Sequence, residues 1–166
     1  MKKKLLAAFL LSTALVSAGC GDDHPEEEGV DAEACEHLQE GPASAVTATL
    51  GTDAAPAILA DHRRYDVTLA DGPDGKQGAV SFAVSEAADY VIYTNADVDL
   101  SITTASGVAV EIEESSSSSE GCADIKGRHV VPLTVGTHYL TFGPTSAATV
   151  GVLIEESHDE HHGHEH

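Results

Sequence analysis

From Ser44 onward the chain alternates apolar and polar side chains with a period of two, the period of a strand that buries one face. Val46, Ala48 and Leu50 alternate with Thr47 and Thr49, and Tyr65, Val67 and Leu69 alternate with Asp66 and Thr68. Val80, Phe82 and Val84 repeat the pattern after the turn segment Asp71-Gly72-Pro73-Asp74-Gly75. Further strands are predicted over residues 89–94, 97–104, 108–113, 128–134, 138–142 and 148–155, each rich in Val, Ile, Thr or aromatics and bounded by Gly, Pro, Asp or Ser. Helical periodicity is confined to a short turn over residues 34–40. Eight to nine short strands predict an all-β fold, an antiparallel β-sandwich in one domain large enough to bury its own core. Pro132 lacks the N–H a ladder needs, so residues 128–134 are predicted to form an edge strand or to carry a bulge. Residues 114–121 (ESSSSSEG) are predicted to be an exposed loop crossing between sheets.

The N-terminus has a different pattern. Lys2, Lys3 and Lys4 precede a twelve-residue apolar segment, residues 5–16, and Ser17-Ala18-Gly19 leads into Cys20. Twelve residues are too few to span a bilayer but suit a signal peptide. The small-small-Cys ending resembles a bacterial lipoprotein lipobox, with Ser17 where Leu is usual. The resemblance implies cleavage before Cys20, lipidation of Cys20 and attachment to an extracytoplasmic membrane face, where several acyl chains anchor stably and one does not. Gly21 stands where Asp favours inner-membrane retention, so the outer membrane is the expected address. The predicted organisation is then a signal peptide over 1–19, a disordered acidic tether over 20–34, the β-sandwich over 35–156 and a disordered His-rich tail over 157–166.

Cleavage removes three of the chain's eight basic residues and none of its 28 acids, which leaves five against 28, a net charge of −23. Such a surface repels nucleic acid and concentrates divalent cations. With Cys20 lipidated, Cys35 and Cys122 remain, and in an oxidising compartment two remaining cysteines predict one disulfide.

A second resemblance rests on the order of Arg64-Tyr65-Asp66-Val67, Val80-Ser81-Phe82, Asp89-Tyr90, Asp97-Val98-Asp99-Leu100, the Ser106-Gly107 turn and Gly136-Thr137-His138-Tyr139-Leu140. Over residues 62–155 this pattern resembles bacterial pre-peptidase C-terminal (PPC-like) domains. These are small secreted β-sandwiches appended to exported proteins, some of which bind calcium or extracellular polymers. The resemblance implies the same sandwich here, carried on a lipid anchor without an accompanying enzyme.

Candidate chemistry concentrates at the C-terminus. Five of the ten histidines, His158, His161, His162, His164 and His166, fall in the last nine residues among three carboxylates, the composition of a chelating tail. Imidazole with carboxylate suits Zn(II), the first expectation, or Ni(II) or Cu(II); the mature chain has no methionine, and bridged thiols disfavour Cu(I). Within the domain, His37 and His129 are predicted ligands of an ordered site that a Cys35–Cys122 bridge would assemble with Glu36 or Asp124, and His62 precedes the Tyr65 strand without an assigned partner. Asp89, Asp97 and Asp99 form a candidate Ca²⁺ set. The chain lacks G-x-S-x-G, a phosphate-cradling glycine loop, H-E-x-x-H and C-x-x-C, so no enzyme is predicted. The expected function is a monomeric, non-enzymatic envelope lipoprotein that binds or buffers a divalent transition metal and passes it to an envelope transporter or TonB-dependent receptor. The alternative is a PPC-like binding or adhesion module for an envelope protein or polysaccharide, with the tail incidental.

Overall fold

The computed structural model describes residues 25–157. Cys20, the predicted signal peptide and the tail histidines His158, His161, His162, His164 and His166 lie outside the described residues. The elements in chain order are helix α1 (Pro25–Glu40) and strands β1 (Ala43–Thr47), β2 (Ala57–Ile58), β3 (Arg64–Thr68), β4 (Ala70–Asp71), β5 (Lys76–Val84), β6 (Ala88–Thr94), β7 (Leu100–Thr104), β8 (Ala109–Val110), β9 (Glu114–Ser116), β10 (Gly127–Leu133), β11 (Gly136–Thr145) and β12 (Thr149–Glu156). They form a β-sandwich. The first sheet has the order β1-β3-β12-β6-β10-β9, and the second β2-β5-β11-β7-β8 with β4 paired to β5.

Twelve strands replace the predicted eight to nine, because β2, β4 and β9 are each only two or three residues long and show no period. The sheets are mixed rather than purely antiparallel: β1 runs parallel to β3, and β2 parallel to β5. The chain leaves β1 for the second sheet at β2 and returns at β3, so β3 re-enters beside β1 in the same direction. The predicted first strand also ends early, leaving Leu50 59 % exposed. β7 begins only at Leu100, so Asp97 and Asp99 lie in the preceding connection. Pro132 is where its chemistry requires: β9 runs beside β10 only at Arg128–Val130, leaving that side of Pro132 unpaired. The serine segment is exposed as predicted, although its start forms β9.

Alternation sorts the side chains of the first sheet. Tyr65, Val67, Tyr90, Ile92, Val131, Val150, Val152 and Ile154 point inward against Val80, Phe82, Ile102, Leu140 and Phe142 of the second sheet, in one buried core. The residues between them, Val91, Tyr93 and Leu153, are just as buried on the outer face, which means something covers that face. α1 does so. Val30, Ala34 and Leu38 recur every four residues, which aligns them on one helical stripe against Tyr93, Val91 and Leu153. The helix therefore runs through most of the segment read as a solvated tether, and from Val30 onward it is built into the domain. It ends at Gly41, whose N–H bonds the His37 carbonyl at 3.1 Å, and where a Cβ would lie 2.5 Å from that same oxygen.

The Cys35–Cys122 disulfide is formed, with the Cα atoms 5.7 Å apart, and pins α1 to the segment before β10.

Candidate metal centre

Glu33 and His37 are four positions apart, so the two are neighbours on one flank of α1. His62 comes from the connection between β2 and β3 and holds a left-handed backbone, φ 55°, that non-glycine residues seldom adopt. Glu155 comes from β12, on the outer face beneath the helix, where its side chain is only 8 % exposed. A carboxylate so enclosed needs partners, and two imidazoles supply them. His37 Nδ1 lies 3.1 Å from Glu155 Oε1 and His62 Nδ1 lies 2.9 Å from Oε2. Glu33 Oε1 is 3.7 Å from His62 Nδ1, and the two rings meet edge to face with centroids 5.3 Å apart.

Burial pushes the Glu155 carboxyl up; the hydrogen bond from His37 and the charges of both imidazoles act against that, and Glu33 adds to it. As a carboxylate Glu155 only accepts, so each Nδ1–H donates to it. That is how an outer carboxylate orients metal-ligating histidines. Glu33, His37 and His62 each offer a donor atom, all within 4.8 Å of one another, the only such group among the described residues. A cavity of about 170 Å³ opens beside them, lined by Val30, Ala60 and Glu156 together with Glu33, His62 and Glu155. Two imidazoles and a carboxylate suit Zn(II), Ni(II) or Cu(II) rather than Ca²⁺, which asks for six or more oxygens.

The predicted pairing of His37 with His129 does not occur. Glu155 aligns with Val91 and Val91 with Val130, all on the outer face, whereas His129 is one residue out of step and points inward. The disulfide brings the two segments together, but the pleat sends their histidines to opposite faces. Asp124 bonds Gln39 at 2.7 Å, and Glu36 is exposed, so neither joins a site with His37. The Ca²⁺ set also separates. Asp89 stands at the start of β6 and Asp97 beyond its end, with the strand from Asp89 to Thr94, roughly 17 Å, between them.

Sequence reasoning missed Glu33 and Glu155 and left His62 unassigned. The available signals were the i, i+4 spacing of Glu33 and His37 and the carboxylate that ends the apolar run Val152-Leu153-Ile154. No protein-family model matches the chain, and no curated protein matches its sequence.

Burial also lowers the His129 imidazole from its ordinary value near 6.5. The unfolded chain takes up this proton first as the pH falls, so the stability is held above about pH 6.5 and lost below it. Asp97, Asp99 and Lys126 are the charged groups lining the same groove. Urea midpoints measured between about pH 7 and pH 5 are expected to fall more steeply for the native chain than for His129→Gln. Parallel slopes would show that His129 carries no such linkage.

Proposed function

We propose that this protein is a non-enzymatic envelope lipoprotein that captures a divalent transition metal outside the cytoplasm, with Glu33, His37 and His62 as a folded centre and the tail histidines as a second, auxiliary ligand set. One observation carries the reading: a single buried carboxylate, Glu155, holds two imidazoles from separate elements, and these rings and Glu33 offer donor atoms within 4.8 Å of one another. The left-handed backbone at His62 supports it, since a conformation costing on the order of 1 kcal/mol persists where the surroundings impose it. The disulfide fits an oxidising compartment. The tail adds capacity at the right place. Glu156 lines the cavity of the centre, and His158 follows Glu155 by three residues, within about 11 Å of chain reach. An ion gathered by the tail is thus presented to the centre, and from there to an envelope transporter or TonB-dependent receptor.

Calorimetry with Zn(II), Ni(II) and Cu(II) on the full chain and on a chain ending at Ser157 tests this. The shortened chain is expected to keep one site, weakened about 100-fold by combined His37→Ala and His62→Ala and about 10- to 100-fold by Glu155→Gln. A shortened chain that takes up none of the three ions would end the case for a folded centre.

A further inference from the structure

On the inner side of the first sheet, at one end of the sandwich, a groove of about 390 Å³ opens where the chain crosses between the sheets. Asp97 and Asp99 line it from the connection before β7 and Leu100 from the start of β7, Ile112 and the serines from just before, within and just after β9, Lys126 from the residue before β10 and His129 from β10 itself. Its volume lies within the range of about 300–1,000 Å³ usual for small-molecule sites.

His129 distinguishes this groove from a surface dent. The residue is 8 % exposed; its Nδ1 is 2.9 Å from Ser115 Oγ, while Nε2 is buried and has no hydrogen-bond partner. β10 places a glycine rather than a side chain beside that nitrogen. Two residues earlier on the same face stands Gly127, where a Cβ would sit 3.0 Å from His129 Nε2 and 2.4 Å from Thr94 Oγ1. A buried ring nitrogen left unbonded is costly, and an occupant supplying the bond recovers that cost.

The lining selects the occupant. A metal ion would lack ligands, since the only group of three converging donors among the described residues is Glu33, His37 and His62. An anion would meet two carboxylates against the single ammonium of Lys126. A purely apolar ligand would strand Asp97, Asp99, Lys126 and the serine hydroxyls without water. The remaining pattern interleaves acceptors (Asp97, Asp99), a donor (Lys126) and hydroxyls that serve as either (Ser115, Ser117), beside the apolar flanks of Leu100 and Ile112. Hydroxyl groups around a carbon ring match it.

We propose that this groove binds a small neutral polyhydroxylated ligand, of the size of one or two sugar rings, with His129 Nε2 bonded to a ligand hydroxyl at its floor. The site is separate from the metal centre, which lies on the opposite face of the same sheet.

The test is a titration of the isotope-labelled full chain with glucose, galactose, N-acetylglucosamine and their disaccharides, in the presence of a chelator, followed by nuclear magnetic resonance. At least one sugar is expected to shift the His129 imidazole Nε2 and the Ser115 and Lys126 amides together. The Asp97→Asn/Asp99→Asn double variant, altered only at exposed positions, is expected to melt as the native chain does and to bind that sugar about tenfold more weakly. Unmoved His129 and groove signals at millimolar sugar would overturn the proposal. So would shifts by glycine or, without chelator, by zinc where sugars have none, since these would assign the groove to a zwitterion or a metal.

Discussion

Replacing Cys35 and Cys122 together by alanine is expected to lower the free energy of unfolding by about 4 kcal/mol. The bridge spans 87 residues, and the entropy that such a long loop removes from the unfolded chain puts the effect near the upper end for a single disulfide. Alanine is the apt replacement because Cys122 is buried among Ala34, Ile125 and Leu153, where a serine hydroxyl would add a desolvation cost of its own. The loss should fall unevenly. The sandwich core is closed by two sheets, whereas α1 rests on one narrow apolar stripe, so without the bridge the helix should open at a lower free energy than the strands. Denaturant titrations of the native and double-alanine chains, with amide exchange of α1 followed separately, measure both effects. Native chain treated with a reductant should approach the variant. A loss below about 1 kcal/mol, with unchanged exchange in α1, would mean that helix docking rather than the bridge holds this layer.

That dependence explains which parts of the molecule could be read from the sequence. Residues with one buried face obey a period of two, and β3 and β5 lie where alternation predicts them, while β6, β10, β11 and β12 lie where Val, Ile, Thr and aromatic composition between turn residues predicts them. The short strands have no room for a period. β12 is an informative intermediate case: Val150-Gly151-Val152-Leu153-Ile154 is apolar on both sides because the sandwich covers one and α1 the other, so a continuous run was the sign of a third layer. Only the end of the helix, residues 34–40, was legible; the rest escaped notice because its apolar stripe is only Val30, Ala34 and Leu38 in a segment crowded with acids, and such composition reads as solvated chain. The candidate centre depended on the same layer. Its ligands come from α1, a loop and β12, and only docking of the helix brings Glu33 and His37 over Glu155; the disulfide implied that the Cys35 and Cys122 segments meet but not which face each histidine would take.

The acid within that segment with the most to lose is Asp31, and Asp31→Ala is expected to cost about 3 kcal/mol. Its side chain is 15 % exposed, and its oxygens accept three hydrogen bonds: from Tyr93 Oη at 2.8 Å and Arg128 Nε at 3.0 Å on Oδ1, and from Ser119 Oγ at 2.6 Å on Oδ2. Tyr93 and Arg128 are register partners on β6 and β10, so a single carboxylate ties α1 to two strands and to the serine loop. Removing it strands the phenol of a fully buried tyrosine and weakens the setting of Arg128, which also reaches Glu114 at 3.5 Å. Asp31→Asn keeps an acceptor but no charge, and should cost less than the alanine. The same contact has a signature at high pH. Burial, then the hydrogen bond and charge of Asp31, raise the Tyr93 phenol above its ordinary value of 10.0. The folded chain therefore keeps a proton that the unfolded chain releases above about pH 10, and stability declines as the pH rises beyond that point. Tyr93→Phe should flatten the decline, and Asp31→Ala, which removes two of the three upward influences, should flatten it partly. Equal alkaline profiles for all three chains would show that the Asp31–Tyr93 contact carries none of the docking energy, and α1 would then be held by its apolar stripe and its disulfide alone.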